Sequence, residues 1–148
     1  MSPADNRSVP PLRFDVAQRL REQFPALPFA VNGGIRTADA ALQALGWCDS
    51  VMIGREAYHH PWLLAELQAR CYPQDDVPPL QAQDVLQQMI DYARGQLAQG
   101  ERLSAITRHM LGLLAHAPGA RDWRRLLSEG ARDRGTGVEL LQHAAALL

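Results

Sequence analysis

No lysine occurs in this chain: all 15 of its basic residues are arginine. A Schiff-base lysine, a lysine general base and a P-loop lysine are therefore excluded from its chemistry. Cysteine is nearly as scarce. The two thiols, Cys48 and Cys71, lack CxxC spacing, and no Cys/His cluster has the spacing of a zinc site. They read as two reduced thiols, with a disulfide or a reactive thiol as the other readings. Long apolar runs are missing too. Stretches such as Ala144–Leu148 and Val51–Ile53 fall far short of the roughly 20 residues that cross a bilayer. The opening MSPADNRSVPP has no apolar core of a secretory signal. The expectation is a cytoplasmic protein with neither a membrane nor a metal as partner.

What is present is a composition of 47% hydrophobic and 21% charged residues over 148 positions. That suits one domain or two small ones and argues against wholesale disorder. It is too short for a complete (β/α)8 barrel of roughly 200–250 residues.

Periodicity divides the chain. Val16, Leu20 and Phe24 recur at helical spacing after Asp15, a possible N-cap, and before Pro25. Phe29-Ala30-Val31 is a short apolar run that stops at Asn32-Gly33-Gly34 and suits a buried strand. Thr37 is placed to cap a helix carrying Ala41, Leu42 and Leu45. SVMIG repeats the strand-then-glycine pattern, and a helix is expected from about Pro61 to Ala69. Strands alternating with helices imply parallel pairing and an α/β fold. Two strands are too few for a stable sheet, so further strands are expected outside this chain or from a partner. The Pro- and Asp-rich YPQDDVPPL reads as a linker. Beyond it only helices are expected: from Asp84 through Leu97, about Ser104 to Ala115, about Ala120 to Glu129, and about Val138 to Leu148. The expected division is an α/β part at 1–72, a linker at 73–79 and a helical bundle at 80–148.

Two strand ends draw attention. Paired glycines at Gly33-Gly34, before a helix start, let N–H groups and a positive helix end face an anion. Gly54-Arg55 ends the next strand, and a guanidinium can clamp a phosphate bidentately. Loops after the last two strands of (β/α)8 barrels commonly form a phosphate site. The plainer reading is a tight turn at 32–34 and a surface ion pair between Arg55 and Glu56.

The formal net charge of −1 hides a split. Residues 101–134 hold Arg102, Arg108, Arg121, Arg124, Arg125, Arg132 and Arg134 against four acids, an excess of +3, whereas residues 1–100 sum to −3. At about 100° per residue, Arg121, Arg124 and Arg125 lie within about 100° of one another, opposite Trp123, Leu126 and Leu127. A basic face over an apolar seam suits a phosphate backbone. It is also what an ordinary solvated helix presents. His59-His60, His109 and His116 carry no metal pattern, and Asp75-Asp76 reads as solvated linker.

Taken together, SPADNRSVPPLRFD, AVNGGIRTADAALQAL, DSVMIGREAYHHPWLL and ITRHMLGLLAHAPGARDWRRLLSE resemble the C-terminal part of the tRNA-dihydrouridine synthases, in particular the A subfamily. The resemblance runs nearly end to end. It implies an oxidoreductase that uses FMN, reduced by NADPH, to saturate the uracil 5,6 bond at positions 20 and 20a of the tRNA D-loop. It implies the last two strands and helices of a TIM barrel, followed by a helical tRNA-binding domain. Asn32, Gly33, Gly34, Gly54 and Arg55 would then hold the FMN phosphate region. Arg7, Arg108, Arg121, Arg124 and Arg125 would contact tRNA. His60 departs from the family, which has a smaller polar residue there. The family's catalytic Cys lies earlier in its sequence and is matched by neither Cys48 nor Cys71. No catalytic residue is therefore assigned, and the expectation is an inactive fragment of an enzyme that is monomeric when whole. Two alternatives stand beside it: a stand-alone helical RNA-binding module without flavin chemistry, and a barrel enzyme acting on sugar phosphates.

Overall fold

Ala30–Asn32 (β1) and Ser50–Met52 (β2) pair in parallel, with Val31 opposite Val51. The helix Phe14–Gln23 (α1) precedes them. Parallel neighbours need a crossover, and it is the helix Ala38–Leu45 (α2). Thr37 caps it as expected, its hydroxyl accepting from the Ala40 N–H at 3.2 Å. Ala38, Ala41 and Ala44 form its buried face. The computed structural model describes residues 11–75, 78–115 and 117–146. Arg7, Asp76 and His116, singled out in the sequence, lie outside the described residues.

At the start of α1, Arg13, not Asp15, occupies the N-cap position. Asp15 sits inside the first turn, where a carboxylate favours the positive helix end. Both of its oxygens are taken by Arg13, at 2.8 and 2.7 Å. Arg21 ties the end of α1 to the two strands. It donates to the Pro25 carbonyl at 2.6 Å, approaches Asp49 at 3.3 Å and lies over the Phe29 ring. Asp49 also accepts from the Phe29 N–H at 2.8 Å, which sets the start of β1 beside β2.

This α/β part covers little of its own apolar surface. Helix α1 buries no residue, although its apolar positions have the expected spacing. Leu20, Phe24, Leu27 and Met52 are all exposed. Among the described residues the sheet has only its two strands, fewer than a stable sheet needs.

By packing, the chain divides between Glu56 and Ala57. The segment 57–72, expected with the α/β half, groups with the helices. It contains most of a short helix, Arg55–His59 (α3), and all of Trp62–Cys71 (α4). A 3-10 turn at Pro73–Asp75 comes next. The remaining helices are Ala82–Ala98 (α5), Leu103–Thr107 (α6), Ala120–Gly130 (α7) and Glu139–Ala145 (α8). Asp84, the expected start of α5, lies within its first turn, and Gln81 holds the cap position.

Leu86, Ile90, Met110, Trp123, Leu127 and Leu141 are buried together at the centre of this unit. Trp123 is fully buried, its indole N–H donating to the Met110 carbonyl at 3.0 Å. The helix expected over 104–115 is only α6. Beyond it the backbone runs in i→i−3 turns, from the Met110 N–H to Thr107, Leu113 to Met110 and Ala115 to Gly112. Tighter turns of this kind rise faster than an α-helix, yet still bury Met110, Leu113 and Leu114. Gly112 permits a close approach: a Cβ there would collide with the His59 carbonyl.

Candidate functional site

The parallel register brings the two strand ends to one edge. Asn32 pairs with Met52, so Gly33-Gly34 and Gly54-Arg55 leave the sheet side by side. Gly33 and Gly34 have φ of 104° and 71°, a region that glycine enters without cost. Ile35 is buried and pins the loop, while Asn32 and Arg36 are exposed. Among the described residues, the N–H groups of Gly34, Ile35 and Arg36 make no hydrogen bond. Gly54 has open space where a side chain would be, and Arg55 is exposed, with no ion pair among the described residues. On the other flank the loop is covered: a Cβ on Gly34 would come within 2.6 Å of Leu12. Amides and a guanidinium with donors to spare at one strand edge favour an anion. Arg36 is a second exposed guanidinium at this edge. Its position two residues beyond the paired glycines was the signal that could have found it.

The second set of residues lies on α7. Trp123 and Leu127 are buried and Arg121, Arg124 and Arg125 exposed, as the helical spacing requires. The three arginines are not equivalent. Arg125 donates to Asp122 at 2.9 Å, which neutralises it locally. Arg121 and Arg124 have no acidic partner among the described residues.

Arg108, just beyond α6, belongs to a different cluster. Its Nε donates to Nε2 of His109 at 3.0 Å. His109 Nδ1 is 2.9 Å from the Tyr58 hydroxyl, which is also 3.4 Å from the Arg108 carbonyl. Sequence spacing could not bring in Tyr58, which precedes His109 by 51 positions. Both cysteines are free thiols, and buried Cys48 donates to the Ser50 carbonyl. Among the described residues no His, Cys, Asp and Glu group is arranged to hold a metal ion. No described helix is long and apolar enough to cross a membrane.

Known proteins share this pattern of residues along almost the whole chain. The chain is 43% identical over 146 residues to a tRNA-dihydrouridine(20/20a) synthase of Vibrio parahaemolyticus, covering 99% of this chain and 44% of that protein. It is 46% identical over 145 residues to the Xanthomonas campestris synthase of the same name, with 98% and 42% covered. For the Escherichia coli protein of that name the identity is 40% over 148 residues, with 100% and 44% covered. The chain thus spans less than half the length of these curated relatives. The dihydrouridine synthase family model matches residues 2–147, and the chain belongs to that family.

Proposed function

We propose that this chain is the C-terminal portion of an FMN-dependent tRNA-dihydrouridine(20/20a) synthase, which reduces uridine in the tRNA D-loop with NADPH. The observation that carries this reading is the near end-to-end similarity to synthases of that name, at 40% identity or more. On this reading β1, β2 and their helices are the last strand–helix units of a TIM barrel. The 73–79 segment leads to a tRNA-binding helical part at 80–148. The whole enzyme is read as a cytoplasmic monomer.

The strand-end loops fit the phosphate end of FMN. The N–H groups at 34–36 and the Arg55 guanidinium have no partner among the described residues, and Gly54 beside them faces open space. Asn32, Gly33, Gly34, Gly54 and Arg55 would hold that end, with Arg36 beside them. Bound FMN, once reduced by NADPH, supplies the hydride that saturates the uracil ring. The chain's own residues bind and orient. The amides of 34–36 and the Arg55 guanidinium neutralise phosphate charge, while Arg121 and Arg124 meet the RNA backbone, with Arg125 and Arg108 next. No proton donor is assigned within the chain: Cys48 is buried and Cys71 closes α4.

The test is to assay the chain with NADPH, FMN and tRNA, and to titrate tRNA at several salt concentrations. Salt-dependent binding without dihydrouridine formation is expected. Replacing Arg121 and Arg124 with Ala should weaken binding and lower the salt slope by about 1 for each phosphate no longer neutralised. Dihydrouridine formation by this chain alone overturns the division of labour. An unchanged affinity in the double variant removes the basic face of α7.

A further inference from the structure

We infer that Tyr58 and His109 are positioning residues that hold Arg108 as a fixed fork for an RNA phosphate. The inference deepens the tRNA-binding reading and rests on it. Its basis is a closed ring of hydrogen bonds with one consistent proton arrangement. An arginine Nε only donates, so His109 Nε2 must accept from it across 3.0 Å. His109 therefore carries its proton on Nδ1 and donates it to the Tyr58 oxygen across 2.9 Å. The Tyr58 hydroxyl is then left to donate to the Arg108 carbonyl at 3.4 Å. Each member satisfies the next.

The consequence falls on Arg108. With Nε engaged, the plane of the guanidinium is set by the His109 ring. Its two Nη groups have no partner among the described residues, and the residue is exposed. Those two groups form the edge of a guanidinium that matches two oxygens of a phosphate. A mobile arginine must give up rotamer freedom to make such a pair. For Arg108 part of that ordering precedes binding, which favours affinity by preorganisation. The Tyr58 ring adds rigidity, since it meets the rings of both His59 and His109 edge to face.

The experiment titrates fluorescently labelled, unmodified tRNA with the full chain and its variants. Arg108→Ala should weaken binding about tenfold and lower the salt slope by about 1. His109→Ala should reproduce most of the loss of affinity. His109→Gln, whose amide oxygen reaches the place of Nε2, should restore most of it, and Tyr58→Phe should fall between. In the Arg108→Ala background, His109→Ala should have no further effect, because its action passes through Arg108. Thermal unfolding checks that each variant is folded. Equal affinities for the unaltered chain and folded His109→Ala overturn the inference, as does a loss that persists in full without Arg108. Should the Arg121 and Arg124 variants lose affinity while the Arg108 and His109 variants do not, this inference falls alone. Absence of any tRNA binding by the unaltered chain overturns both readings.

Discussion

Trp62 bonds to Leu113, 51 positions away in sequence: its indole N–H donates to the Leu113 carbonyl at 2.6 Å. This bond ties α4 to the turns after α6, within the unit that begins at Ala57. Trp62→Phe keeps most of the ring but removes the donor. We expect a drop of about 1 kcal/mol in stability, measured by urea unfolding. Full stability in that variant would mean that the bond is replaced by water at no cost.

Trp123 provides a buried counterpart. It is fully buried and its donor satisfies the Met110 carbonyl. Trp123→Phe removes one of the two donors to that carbonyl, which keeps the Leu113 N–H, and should cost about 1 kcal/mol. Trp123→Ala opens a cavity as well and should cost about 3–5 kcal/mol. Both are read from chemical denaturation, and the order of the two is the critical result.

Two glycines predict opposite outcomes. At Gly112 a Cβ would collide with the His59 carbonyl, whereas at Gly54 nothing lies within 4 Å. Gly112→Ala should therefore destabilise by about 1–3 kcal/mol through overpacking. Gly54→Ala should leave the melting temperature nearly unchanged. Comparable destabilisation in both would contradict the packing described at Gly112.

Asp15 gives a prediction in pH. Hydrogen bonding to Arg13 is the main cause that lowers its carboxyl to about 2, against an ordinary value near 3.9. A depressed carboxyl contributes stability that is present above the unfolded value and lost as pH falls through the folded one. The window therefore runs from about 4 down to about 2, and the effect is small because both groups are exposed. NMR titration should place the Asp15 midpoint near 2, and Arg13→Ala should move it up toward about 3.9.

The two-stranded sheet predicts behaviour in solution. Open strand edges and exposed apolar side chains promote self-association, and Met52 on β2 is 57% exposed. Sedimentation velocity should show concentration-dependent association of the chain. Met52→Lys should reduce it. A monodisperse monomer at all concentrations would show that the exposed face is inert.

Local chemistry was legible in the sequence. The β-branched and apolar runs ending in glycine marked both strands, and Thr37 marked the start of α2, because these choices are made within a few residues. The seam of α7 came from 3.6-residue periodicity alone. What escaped depended on competition or on distance. Helical spacing grouped Arg125 with Arg121 and Arg124, but Asp122 takes it by an i,i+3 pair. Asp15 is of a residue type that caps helices, yet it lies inside the first turn of α1, as Asp84 does in α5.

By itself the sequence determined the family, the alternation of strand and helix, and which arginines have few acids around them. Those properties reside in residue order and spacing. Only the tertiary structure decided that the chain divides after Glu56 and that the helix beyond Thr107 gives way to tighter turns. It also decided that Tyr58 closes a hydrogen-bonded ring with Arg108 and His109. Each of these depends on partners far apart in the chain or on a backbone approach such as that at Gly112, and no local pattern encodes such contacts. The absence of lysine takes its meaning from both levels. All 15 basic residues carry a guanidinium, and the fold decides which of these are exposed and without an acidic partner among the described residues.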